Sequence, residues 1–240
     1  MKEYPEFLKE ICEKYENDFY PNKFVCETEQ DTLTDERYNV ILLYDKKITK
    51  RIASFSKTLN CIIPCTVYDK DNCHTTVAVF RGYEKNSKIP EGEEEILNRL
   101  IEIAQKIKNG IKDIKIYLGR MLVNKNSVIL SGFPDKNFWK LQKALYEEND
   151  QYLRLRLAWG AHITAGRFNK SESDLEIISR LHNLVNEFEI IKEVSPIDIA
   201  ITKFKVCPGT YEANILWSGL WGRRVCYSWL KFKKSLLKWW

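Results

Sequence analysis

Residues 38–44, YNVILLY, are apolar at almost every position, a pattern that predicts a strand buried on both faces. The next stretch, DKKITKRIASFSKTLN, changes period. Ile48, Ile52, Phe55 and Leu59 recur at helical spacing, and Asp45 stands where an N-cap belongs. Two further strands are expected at 61–68 and 75–81, parted by the turn-like YDKDN. EGEEEILNRLIEIAQKIKNG predicts a helix with Ile96, Leu100, Ile103 and Ile107 as its stripe. Acids fill its first turn, lysines its last, and Gly110 is expected to end it.

The second half repeats this grammar. IKIYLGRMLVN and SVILSG predict paired strands joined at KN, followed by a helix from Lys136 to Glu148 and a strand at 161–168. A helix is expected over 173–188, with Leu175, Ile178, Leu181, Val185 and Phe188 on one face. SPIDIAITKFKV and YEANILWSG predict a closing hairpin across CPGT. The expected fold is therefore α+β: an internally duplicated, two-lobed antiparallel-sheet fold with flanking helices and a central cleft. A helical extension over 1–36, a bilobal domain over 37–218 and a basic aromatic helix over 219–240 are the expected units.

Composition adds little to the body and much to the tail. The chain has 240 residues, enough for a sizeable core, and its charged and hydrophobic fractions are globular. The first residues are too charged for a signal peptide, and no apolar run is long enough to span a bilayer. Seven cysteines without metal-type CxxC pairs predict free thiols in a reducing, cytoplasmic setting. The net charge of +5 resides in residues 217–240, where Arg223, Arg224, Lys231, Lys233, Lys234 and Lys238 face no acid, leaving the rest at −1. Read as a helix from about 220, this segment lines up Trp221, Val225, Trp229, Phe232 and Leu236 beside a basic stripe. Packing on the body, peripheral membrane contact and nucleic-acid contact are all open to such a segment.

Two of the three histidines share one local pattern. His74 in DNCHTTVAVF and His162 in GAHITAGRF each precede a threonine by two positions, within strand-like runs and 88 residues apart. Strand side chains alternate faces, so His74 points with Thr76 and His162 with Thr164. If the two strands meet, two imidazoles and two hydroxyls converge. The imidazoles can move protons and the hydroxyls can donate to anionic oxygens, which suits in-line displacement at a phosphodiester. A zinc site would need more ligands, and the remaining histidine, His182, sits at the edge of its helix stripe. No metal is expected.

HTTV and HITA match the H-x-[ST]-x pattern of the 2H phosphoesterase superfamily, which includes the 2′-5′ RNA ligase-like proteins and cyclic phosphodiesterases. The resemblance covers about residues 38–216, in the order of elements as well as the motifs. The extension and the tail have no counterpart in it. It implies catalysis by His74 and His162, without a cofactor, on cyclic or 2′-5′-linked nucleotide or RNA phosphodiesters. It also implies substrate contacts from Thr76, Thr164, Arg167, where members often have a basic residue, and Tyr211 near the end of the closing hairpin. A 2′-5′ RNA ligase running the reverse chemistry and a non-catalytic nucleotide- or RNA-binding module are the alternatives. Tyr211, Phe80 and Phe168 are candidates to stack on a base, or to be core.

Overall fold

The structure is a computed structural model that describes residues 24, 35–81, 93–147, 154–207, 210–220 and 224–231. The helical extension expected over 1–36 lies almost wholly outside them. Phe24 is described; it bridges to Glu172 in antiparallel fashion and packs on Phe168 at 4.7 Å between ring centres.

Strand β1 (Asp35–Leu43) leads into helix α1 (Lys46–Ile62), capped by Asp45, whose carboxylate accepts from the Lys47 amide at 2.7 Å. The expected stripe residues Ile52, Phe55 and Leu59 are buried there. The strand expected from residue 61 starts later, because the helix runs on through Ile62. Pro64 then forces Ile63 into an extended conformation, φ −137°, and leaves β2 only Cys65–Val67. Strand β3 (His74–Arg81), helix α2 (Glu93–Ile107) and a 3₁₀ turn (Lys108–Asp113) follow. That turn carries the chain past Gly110, where the helix was expected to stop.

The hairpin β4 (Ile116–Val123) and β5 (Ser127–Pro134) comes next, then α3 (Lys136–Glu147), capped by Asp135, which accepts from the amides of Asn137 and Phe138. Strands β6 (Arg154–Leu157) and β7 (Ile163–Phe168) precede α4 (Leu175–Asn186). In α4, Ile178, Leu181 and Val185 are buried, Phe188 beyond it packs on Phe55, and Leu175 faces solvent. Strands β8 (Glu189–Val194), β9 (Asp198–Cys207), β10 (Thr210–Ser218) and β11 (Arg224–Lys231) complete the described chain.

The helix expected from about 220 is thus a strand over Arg224–Lys231, paired antiparallel to β10. The stretch RVCYSW is rich in β-formers and reads with either period. The edge of β10 supplies the backbone partners that favour the extended one. Residues 232–240 lie outside the described residues. Among those described, no helix is long and apolar enough to cross a membrane.

All the described strands join one antiparallel sheet, ordered β11-β10-β9-β1-β3-β7-β5-β4-β8, with β6 on β3 and β2 on β7. This is the expected α+β architecture, and its duplication is visible in the pairing. The unit β1-α1-β2-β3 is repeated as β5-α3-β6-β7; β1 pairs with β3 and β5 with β7. The short strands are exchanged: β2 of the first unit pairs with β7, and β6 of the second pairs with β3. Where the units meet, β3 and β7 share one pair, Thr75 with Ile163, which are equivalent positions of the two units. One face of the sheet carries Tyr38, Val40 and Leu42 of β1 with Ile163 and Ala165 of β7. These form a core with Ile52, Phe55 and Leu59 of α1, Leu100 of α2, Phe138 and Leu145 of α3 and Leu181 of α4.

Candidate active site

The single pair Thr75–Ile163 decides the geometry. Both residues are fully buried on the helix-covered face. Their neighbours therefore point the other way, and antiparallel register sets His74 across from Thr164 and Thr76 across from His162. All four are half-exposed, between buried residues on either side. Directly opposed Cβ atoms in such a pair lie roughly 4.5–5.5 Å apart, and diagonal ones about 7–8 Å. The histidines thus occupy one diagonal of a small square and the threonines the other.

Both strands carry a bulge just past the threonine. In β3, pairing with β1 skips Val77; in β7, pairing with β5 skips Ala165, the equivalent position. The extra residue inverts the alternation. Arg167, which a regular strand would turn away from Thr164, therefore shares its face, beside Thr66 of β2 and Ser127 of β5. Gln142 of α3 holds the first bulge from behind: its buried amide nitrogen donates to the carbonyls of Val77, at 2.9 Å, and Ala158, at 2.8 Å.

The two imidazoles are held differently. His74 Nδ1 donates to the Asn72 carbonyl at 2.7 Å, which leaves Nε2 as the nitrogen that exchanges protons. Burial lowers the His74 pKa below its ordinary value; the Asn72 hydrogen bond raises it, and the positive charge of Arg167 lowers it. Arg167 is therefore electrostatically coupled to the histidine of the other strand. His162 lies against Trp159, rings stacked 4.5 Å apart and 13° from parallel, and its Nδ1 is buried. An indole face under the ring fixes its orientation.

Of the residues expected at the site, His74, Thr76, His162, Thr164 and Arg167 share one face. The backbone of Tyr211 pairs with Val206, which pairs with Asp35, so its row is eight residues of β1 from that of His74. That is about 26 Å along the strand at roughly 3.3 Å per residue. Phe80 and Phe168 are core, 2% and 3% exposed. His182 is half-buried on α4, with its pKa lowered by burial. Among the described residues, no group of three or more His, Cys, Asp or Glu side chains is placed to hold a metal ion. Cys61, Cys65 and Cys73 are free thiols.

Sequence reasoning missed Trp159 and Asp198. Trp159 stands three residues before His162, and that closeness was its only signal. Asp198 stands in the row of His74, one strand beyond Leu43. It accepts from Ser218 and from the amides of Ile199 and Leu220, clamping β9 to the end of β10.

No protein-family profile matches the chain, and neither does any curated protein sequence. Solved structures do. TT0787 of Thermus thermophilus superposes with a TM-score of 0.50 at 10% identity, over 76% of this chain and 96% of that one. Kluyveromyces marxianus Usb1 gives a TM-score of 0.39, also at 10% identity, over 74% and 96%. The first of these likenesses establishes a shared fold.

Proposed function

We propose that this chain is a 2H-type phosphodiesterase that cleaves nucleotide or RNA phosphodiesters by two-histidine acid–base catalysis without a metal. The observation that supports the reading is the register at Thr75–Ile163, which brings the two His-x-Thr segments side by side. In the reaction, His74 Nε2 takes the proton of an attacking water or ribose hydroxyl as that oxygen bonds to phosphorus. The opposite P–O bond breaks, and His162 gives its proton to the departing oxygen. The histidines finish with their protonation exchanged, and solvent resets them. Thr76, Thr164 and Arg167 donate to the phosphoryl oxygens, where charge builds up in the transition state. Burial and Arg167 favour neutral His74, as a base requires, and the Trp159 face holds the His162 ring in place.

The test is a panel of 2′,3′-cyclic nucleotides and of 2′-5′ and 3′-5′ dinucleotides, assayed with and without EDTA. Turnover of at least one that survives chelation is expected. Loss on chelation with recovery on adding zinc or manganese would replace this mechanism with a metal one.

Thr76→Val and Thr164→Val keep shape and remove one donor each. Hydrogen bonds to charged groups are worth roughly 1.5–3 kcal/mol, so each change is expected to slow kcat/KM by about ten- to a hundredfold. Wild-type kinetics in both would mean that the hydroxyls do not meet phosphate.

The pH profile of kcat/KM is expected to be bell-shaped, with neutral His74 setting the acid limb. Arg167 lowers the His74 pKa, so Arg167→Gln raises it, and the acid limb moves to higher pH while the alkaline limb stays. An acid limb that does not move, or moves to lower pH, would separate Arg167 from the base.

A further inference from the structure

Helix α3 buries a stripe at helical spacing: Phe138, Leu141, Gln142 and Leu145. Among them Gln142 is the polar member, only 3% exposed. A buried amide is costly unless its hydrogen bonds are made. Gln142 donates two from Nε2, to the Val77 carbonyl at 2.9 Å and to the Ala158 carbonyl at 2.8 Å. Carbonyl oxygens only accept, so the nitrogen end of the amide is the one that faces them. The Ala158 amide also donates to the Val77 carbonyl, at 3.0 Å. Gln142, Val77 and Ala158 thus form one small network that no apolar side chain could complete.

The two carbonyls belong to opposite sides of the site. Val77 is the bulged residue next to Thr76 in the first His-x-Thr strand. Ala158 follows directly on β6, whose last pair is Leu157 with Ala78, and opens the turn that leads to His162. Strands β3 and β7 themselves meet at the pair Thr75–Ile163, and one pair leaves two strands free to pivot. The anchored Ala158 is a second tie between them. It lies immediately before Trp159, whose indole stacks on the His162 ring.

We propose that Gln142 is a positioning residue for the proton transfer to the leaving group. It holds Ala158, and through it the Trp159 indole and the His162 ring, against the strand that carries His74. The proposal rests on the catalytic reading above for the role of His162 as the acid. Gln142 itself touches no substrate. Its loss would let the His162 ring drift from the departing oxygen, and misplacement by about 1 Å can cost on the order of 10²-fold.

The experiment compares two readouts of the full chain. Gln142→Met keeps the length of the side chain and removes the donor. Gln142→Asn keeps the amide but is too short to span both carbonyls, and it carries both readouts if the methionine variant does not fold. The first readout is the NMR shift of the His162 ring protons at alkaline pH, where the imidazoles are neutral, assigned with His162→Ala. Protons above an indole face are shielded, so the parent signals lie upfield of free imidazole. Both variants are expected to lose part of that upfield shift, with the His182 signals unmoved.

The second readout is turnover per folded protein of a uridylyl-uridine dinucleotide and of uridine 3′-(para-nitrophenyl phosphate). A ribose oxygen must be protonated as it departs, whereas nitrophenolate need not be. Gln142→Met is expected to slow the dinucleotide about ten- to a hundredfold and the nitrophenyl ester by less than about threefold. A merely structural role would slow both alike. His162 signals unmoved in the variants, or equal slowing of the two substrates, would overturn the positioning role. If the signals move in a protein that turns over no phosphodiester of the panel above, Gln142 places the ring and the catalytic reading falls.

Discussion

His74→Ala and His162→Ala are each expected to cut turnover by ~10²–10⁴-fold, the range that a placed proton-transfer group supplies. Both side chains are half-exposed on the face away from the core, so neither truncation leaves a hole in it. The double variant should be hardly slower than either single one, because base and acid serve one step and loss of either disables it. The two singles should also differ in pH profile, each keeping the limb of the surviving histidine. Kinetics within a few-fold of wild type in either single variant, with the fold intact by thermal melting, would sink the two-histidine mechanism.

Gly132→Ala is expected to be far more damaging than Gly110→Ala. Gly132 of β5 lies against the chain just before His162. A Cβ there would stand 1.8 Å from the Ala161 carbonyl oxygen, 2.9 Å from its carbon and 3.1 Å from Ile116 Cγ2. Two backbones cannot yield as a flexible side chain does, so the cost lies at or above the upper end of overpacking, on the order of 3 kcal/mol. In a chain of this size that is roughly 6–12 °C in Tm. The displaced Ala161 adjoins His162, so the folded fraction should lose turnover as well. Gly110→Ala is the control: nothing lies within 4 Å of its added Cβ, and Tm should be unchanged or slightly raised. Equal melting points for the two variants would show that β5 and the approach to β7 are not packed this closely.

What could be read from the sequence alone is local. The apolar run of 38–44, the helical stripe from Ile48 to Leu59 with its Asp45 cap, and the alternation that turns His74 with Thr76 and His162 with Thr164 all follow from periods of 3.6 and 2 residues. Those periods are written in neighbouring residues, and the structure keeps them. The repeat of the two motifs at 88 residues likewise announced a duplicated sheet. The short strands β6 and β8 passed unnoticed because RLRL and EIIKEV are too brief and too charged to outweigh a loop reading. Residues 224–231 fit two periods, and only the open edge of β10 selected the extended one. Pairing is the part that no local pattern encodes. The exchange of β2 and β6 between the units, the contact of β3 with β7 at one residue pair, and the stack of Trp159 on His162 depend on segments far apart in the chain or on the path of a turn. The bulges at Val77 and Ala165 matter most, because one extra residue inverts every side chain beyond it. Counting along the sequence puts Arg167 on the opposite face from Thr164, and the bulge turns it back.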